Sequence, residues 1–163
     1  MINFRPVKQE DAEAMCAIYN HYVRNTTISF EEIEITASEM SKRILDISDS
    51  LPWIVVENEG MADGYAYATK WRVRSAYRFS VEIAVYLSPT STGKGYGSRL
   101  LEKLLDELVK LGIHVVIGGI ALPNEMSVKL HEKMGFTKVA HFERVGFKNQ
   151  QWIDVGYWQK LLS

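Results

Sequence analysis

Residues 81–105, VEIAVYLSPTSTGKGYGSRLLEKLL, restrict the fold more than any other stretch of the chain. From residue 79 to 87 the odd positions Phe79, Val81, Ile83, Val85 and Leu87 are apolar. Ser80, Glu82, Ala84 and Tyr86 fall between them, which is the period of a pleated strand. Glu82 therefore shares a face with Ala84 and Tyr86. Beyond Pro89 comes Thr92-Gly93-Lys94-Gly95-Tyr96-Gly97-Ser98, and then Leu101, Leu104, Leu105 and Leu108 recur at helical spacing. Leu111-Gly112 reads as a helix stop, and residues 113–122 read as a buried parallel strand weakened by Gly118-Gly119, a pair that suggests close backbone approach. A strand, helix, strand unit of this length crosses over right-handed. The glycine loop then lies at the carboxyl end of an α/β sheet, between two strands free to splay.

The loop has a chemical consequence. Three glycines in five residues let several backbone N–H groups converge, and the following helix adds the positive end of its dipole, so the expected guest is an anion such as phosphate. A Walker loop does not fit, because Gly95 follows Lys94 and no glycine stands five residues before Gly93. A dinucleotide fingerprint fits little better, with Ser98 in place of its third glycine and no acidic residue closing the next strand.

With 163 residues, 47% of them hydrophobic, one domain spanning residues 1–163 has enough apolar material for a sizeable core. The net charge of −1 and pI near 6.4 argue against a nucleic-acid partner held by bulk electrostatics. Single Cys16 cannot form an internal disulfide, no signal pattern opens the chain, and no apolar run approaches a membrane span. A cytoplasmic protein with no membrane partner is expected. One cysteine and four scattered histidines give no metal-ligand spacing, so no metal is expected.

Before the central strand, residues 2–7 read as a strand and residues 11–23 as a helix with Cys16 on its apolar stripe. Residues 26–35 form an extended connection carrying Phe30, either a pocket aromatic or a core residue, with Glu31, Glu32 and Glu34 as a solvated edge. Thr36 caps a helix reaching about Ile47. Residues 51–57 and 61–71 read as paired strands, the small Gly64, Ala66 and Ala68 leaving room for a ligand on one face. In the run 71–78, Arg72, Arg74 and Arg78 interleave with Trp71, Ser75 and Tyr77. Such a run suits single-stranded nucleic acid or, better, a compact anion gripped bidentately; plain surface arginines are the remaining reading. After Pro123, Asn124, Ser127 and His131 share one helix face, beside a stripe of Met126, Leu130 and Met134. Residues 137–143 and 151–161 close the chain as strands.

The Val-Tyr-Leu-Ser-Pro strand end, the Gly-x-Gly loop and the leucine helix resemble the acetyl-CoA signature of the GNAT superfamily of N-acetyltransferases. Asn124-x-x-Ser127-x-x-Leu130-His131-Glu132-Lys133-x-Gly135-Phe136 resembles its second signature. Thr92 departs from the usual Gln or Arg at the head of the loop, a change expected to alter loop capping more than binding. Residues 18–20 with Thr-x-Ser-Phe-Glu, residues 71–82, and the tail 146–148 with 152–159 resemble the phosphinothricin and methionine sulfoximine branch, also called L-amino acid N-acetyltransferases. This resemblance implies a mixed, mostly antiparallel sheet of six to seven strands with a central parallel splayed pair, flanked by about four helices. It implies acetyl-CoA held by Val85, Tyr86, Leu87, Gly93, Lys94, Gly95, Tyr96, Gly97, Ser98, Asn124 and Ser127. It further implies an acceptor held by Phe30, Arg72, Arg74, Ser75 and Tyr77, with Glu82 as base, His131 near the thioester sulfur, and a homodimer. The implied reaction is direct acetylation of a small amino acid's α-amine. The alternatives are a peptide or protein N-acetyltransferase and a non-catalytic acetyl-CoA-binding regulator.

Overall fold

The computed structural model describes residues 1–162, arranged as one seven-stranded sheet with helices on both faces. In chain order the elements are β1 (Ile2–Pro6), α1 (Ala12–Asn25), α2 (Ala37–Ser48), β2 (Trp53–Asn58) and β3 (Met61–Lys70). They continue with β4 (Ser80–Leu87), α3 (Tyr96–Lys110), β5 (Val115–Leu122), α4 (Glu125–Lys133), β6 (Thr137–Lys148) and β7 (Gln151–Leu161). The sheet order is β1-β2-β3-β4-β5-β7-β6, and β4 with β5 is its parallel pair. Residues 113–122 were expected to form a parallel strand. β5 begins at Val115, runs parallel to β4 only from Val115 to Gly118, and pairs antiparallel with β7 along its whole length. Among the described residues, no helix is long and apolar enough to cross a membrane.

Alternation along the strands divides the interior in two. Ile54, Val56, Ala66, Ala68, Val81 and Ile83 face α3, whose Leu100, Leu101, Leu104, Leu105 and Leu108 are all buried. Each fully buried leucine contributes about 1.5–3 kcal/mol by transfer from water, which makes this helix the main anchor of the sheet. Trp53, Val55, Tyr65 and, partly, Tyr86 face the other way, onto Met15, Cys16, Tyr19 and Val23 of α1 and Met40 and Ile44 of α2. Cys16 is thus a packed residue, and burial pushes its thiol pKa up. The small residues of β3 do not leave space for a ligand: Ala66 and Ala68 are fully covered by α3, because a helix can seat this close only where side chains are short.

Local chemistry sets the ends of the elements. Thr36 Oγ1 accepts the Glu39 N–H at 3.1 Å and starts α2. Asn124 Oδ1 does the same for Ser127 N at 3.2 Å and starts α4. Met126 leaves the expected apolar stripe, being mostly exposed, while Leu130 and Met134 pack on the α3 core. β6 is longer than its sequence pattern suggested. It continues to Lys148 through an irregularity between Phe142 and Gly146, where Arg144 adopts φ 53° and its N–H donates to Asp154 Oδ1 at 2.8 Å.

Candidate active site

The parallel pairing of β4 and β5 stops at Ile83 and Gly118. Beyond it the strands part around a small cavity of about 70 Å³. Ala84, Val85 and Tyr86 line one side, Gly119, Ile120 and Ala121 the other, and Asn124, Ser127 and His131 of α4 the end. Gly118 makes this arrangement possible, because a Cβ there would stand 2.7 Å from both Cδ2 and Nε2 of His131. His131 is buried, its Nδ1 lies 2.7 Å from the Ser127 carbonyl oxygen, and its ring meets Phe136 edge-on at 5.2 Å. Desolvation draws the imidazole pKa down and the Ser127 carbonyl only partly opposes it, so the ring is neutral at neutral pH. A neutral ring donating from Nδ1 keeps its lone pair on Nε2.

A second cleft, of about 440 Å³, shares Ile28, Tyr86, Gly119 and Ala121 with the first. Its other lining residues are Tyr19, Ser29, Phe30, Glu31, Glu82, Val155 and Tyr157. Glu82 faces this cleft because alternation along β4 puts it on the side away from α3. Its Oε2 would lie 3.2 Å from a Cβ on Gly119. Burial raises the Glu82 pKa and the Arg72 charge opposes the rise. The Tyr157 hydroxyl is also raised, first by burial and then by the Glu82 charge.

At the head of α3, Gly93 and Gly95 adopt φ of 77° and 78°, and the space where a Cβ would point is open at both. Gly95 is the N-cap and supplies no side-chain cap, so the N–H groups of the first turn are left for another acceptor. Gly97 plays a different part, since a Cβ there would press on Leu130 at 3.3 Å. Tyr96 is buried and meets Phe4 edge-on at 6.3 Å, so it faces the core. Lys94 Nζ lies 5.9 Å from the Tyr96 ring centre, and Ser98 Oγ is 3.5 Å from Lys133 Nζ. Thr92 Oγ1 reaches the Pro89 carbonyl at 3.4 Å and so finishes the preceding turn. Leu87 is tied to α1 through its carbonyl, which accepts the Tyr22 hydroxyl at 2.5 Å.

The structure thus groups Glu82, Tyr86 and Phe30 in one cleft, and Val85, Asn124, Ser127 and His131 at the splay. It separates the candidates of the arginine run. Arg72, Arg74 and Ser75 line another groove with Lys70, Arg78 and Leu111, and Tyr77 is partly exposed in its own turn. Of the arginine run, Arg72 alone has a charge that reaches Glu82 and Tyr157, although its guanidinium lies 4.2 Å from the Trp71 ring centre. Glu31 departs from the solvated edge expected of it. It accepts from Arg43 Nη2 at 2.6 Å and Nη1 at 3.0 Å and from the Tyr19 hydroxyl, and its pKa is lowered chiefly by the Arg43 hydrogen bond. Tyr157, Val155, Tyr19 and Ser29 were not singled out from sequence. For Tyr157 and Val155 the signal was present as alternate residues of one tail strand. Ser29 and Tyr19 lie in the Thr-x-Ser-Phe-Glu and 18–20 segments that carry the resemblance, which assigned no role to either.

A model of the acetyltransferase (GNAT) domain matches residues 4–156. The chain belongs to the GNAT acetyltransferase family. It is 38% identical over 159 residues to phosphinothricin N-acetyltransferase of Streptomyces viridochromogenes, covering 98% of this chain and 87% of that one. It is 33% identical to the L-methionine sulfoximine/L-methionine sulfone acetyltransferase of Salmonella typhimurium, over 99% of this chain and 95% of the relative. A phosphinothricin acetyltransferase from Sinorhizobium meliloti, solved in complex with acetyl-CoA, superposes with a TM-score of 0.96 at 34% identity, over 99% of this chain and 89% of that chain. The GNAT sheet, parallel central pair included, is the architecture expected from the two signatures.

Proposed function

We propose that this GNAT chain transfers the acetyl group of acetyl-CoA directly to the α-amine of a small amino-acid-like acceptor of the phosphinothricin or methionine sulfoximine type. In this reading it acts in the cytoplasm as a single-domain protomer of a homodimer. The observation that carries the proposal is the junction of the two cavities. The strand splay and the cleft holding a desolvated Glu82 share Ile28, Tyr86, Gly119 and Ala121, so a thioester in one meets an amine in the other. The residues present fit the coenzyme. The uncapped first turn of α3 and the open space before Gly93 and Gly95 suit a diphosphate, with Lys94, Tyr96, Gly97 and Ser98 contributing main-chain contacts. The splay, with Val85, Tyr86, Leu87, Asn124 and Ser127, suits an extended amide arm.

Bound acetyl-CoA supplies an activated acyl carbon and a thiol leaving group. The chain's residues do the rest. An α-amine is mostly protonated at neutral pH and must lose a proton to attack. Glu82 takes that proton, directly or through a water, and its raised pKa brings its basicity nearer to the working pH. As the C–N bond forms and the C–S bond breaks, main-chain N–H groups around Val85 stabilise the carbonyl oxygen, and the second proton, lost as the nitrogen becomes an amide, ends on the departing sulfur, directly or through water, giving the free thiol. His131, neutral and with Nδ1 engaged by Ser127, orients the sulfur end and does not act as an acid. Arg72 is the cation whose field reaches the cleft and draws in the acceptor carboxylate. Phe30 packs on the acceptor, while Arg74 and Ser75, in the neighbouring groove, and Tyr77, in its exposed turn, are given no contact with it.

The test is thiol release from acetyl-CoA across phosphinothricin, methionine sulfoximine, methionine sulfone, ordinary amino acids and peptides. The first three are expected to lead, and Glu82→Gln to lose about 10² to 10⁴ in kcat. A preference for peptides, acetyl-CoA binding without turnover of any amine, or full activity in Glu82→Gln would each refute the corresponding part.

A further inference from the structure

The tail segment Gly146-Phe147-Lys148 has no part in the chemistry above, yet two of its residues hold one wall of the acceptor cleft. Ile28, Ser29, Phe30 and Glu31 form that wall. Lys148, 119 residues away in sequence from Ser29, is 2% exposed and donates from Nζ to the Ser29 carbonyl at 2.6 Å. A buried ammonium is costly unless it is hydrogen-bonded, and burial does lower this lysine's pKa, opposed by the charges of Glu32 and Glu31. Two residues earlier, Gly146 lies directly against the Phe30 ring. A Cβ there would sit 2.4 and 2.5 Å from two ring carbons. The wall is braced from its other side as well: Ser29 Oγ pairs with the Tyr19 hydroxyl at 2.8 Å and accepts the Glu31 N–H at 3.2 Å, and Arg43 grips Glu31. Phe30 itself remains 43% exposed, so its ring has room to swing once its seat is altered.

We infer that Gly146 and Lys148 are positioning residues that set the shape of the acceptor site, Lys148 by holding the Ser29 carbonyl and Gly146 by giving the Phe30 ring a flat seat. The inference rests on the proposed function for its consequence, the choice of acceptor, but not for the contact itself. A ring displaced by one methyl changes a pocket wall by the size of group that commonly separates related substrates, an effect of about tenfold. The irregularity in β6 at residues 143–145 explains why the device is absent from the alternation pattern, because it resets which residues face the sheet just before Gly146.

Two measurements on the full-length protein test this. Hydrogen exchange without substrate is expected to show residues 28–33 exchanging about tenfold faster in Lys148→Met while α3 keeps its protection. Unchanged exchange in that segment overturns the contact's role, whether or not the enzyme turns over. In steady-state kinetics, Gly146→Ala is expected to raise the acceptor KM about tenfold with the acetyl-CoA KM and kcat unmoved, and to have no effect in a Phe30→Ala background. An equal effect with and without the Phe30 ring, or none in the parent, overturns the seat. A parent with no activity on any amine refutes the proposed function and leaves the exchange measurement to decide the contact.

Discussion

Substituting Gly118 by alanine tests whether the strand splay and α4 are as tightly coupled as the geometry indicates. The new Cβ would stand 2.7 Å from two ring atoms of His131, about 0.7 Å short of the 3.4 Å at which ordinary contact begins. His131 cannot relieve this by moving into solvent, since it is 6% exposed, held by the Ser127 carbonyl and backed by Phe136. Either α4 or β5 must shift, and overpacking of this kind costs about 2 kcal/mol, which for a chain of this length lowers Tm by about 4–8 °C. The shift narrows the splay, so the acetyl-CoA KM should rise as well. Thermal unfolding of Gly118→Ala, His131→Ala and the double variant forms a cycle. Alanine at 118 should be nearly neutral once the imidazole is gone. An equal Tm loss in both backgrounds would show that the clash lies elsewhere and that His131 does not close the splay.

Three further outcomes follow from the same geometry. Gly95→Ala meets no atom but forces a left-handed φ of 78° on an L residue, so it should cost roughly 1–2 kcal/mol of stability and weaken acetyl-CoA binding in calorimetry without altering acceptor selectivity. Glu82 has its pKa raised by burial, so the stability of its acid form is present at low pH and lost as pH rises through that raised value. Glu82→Gln should therefore melt above the parent at pH 7–8 and converge with it toward the ordinary carboxylate pKa of about 4.5, as a pH series of melting curves would show. The His131 pKa is lowered by burial, so the unfolded chain binds more protons there. Parent stability should fall as pH drops below about 6.5, and His131→Gln should show a shallower fall in the same series.

What could be read from sequence was whatever obeys a local period or a short motif. The strand, glycine loop and leucine helix around residues 81–105, the Thr36 and Asn124 caps, and the cleft-facing side of Glu82 all follow from alternation or capping chemistry between near neighbours. Two readings failed because the deciding partner is remote. Ala66 and Ala68 looked like space for a ligand, but α3, some 30 residues further on, fills it. Glu31 looked solvated until Arg43 of the following helix and Tyr19 of the preceding one closed on it. The pairing of Lys148 with Ser29 spans 119 residues and sits beyond a break in strand register, so no window of residues contains it. Arg72, Arg74 and Ser75 looked like neighbours of Glu82 because their run leads into β4, yet all three line a groove that does not include Glu82, a separation that adjacency conceals.

The most direct measurement mixes the protein with acetyl-CoA, then with phosphinothricin, and follows both protein and acceptor by mass spectrometry through a single turnover. Direct transfer assisted by Glu82 predicts that the protein mass never changes, that the acceptor gains one acetyl group on nitrogen, and that Glu82→Gln binds acetyl-CoA but acetylates far more slowly. An acetylated protein formed before the acceptor is added, or an acceptor that stays unmodified while acetyl-CoA is bound, would contradict it.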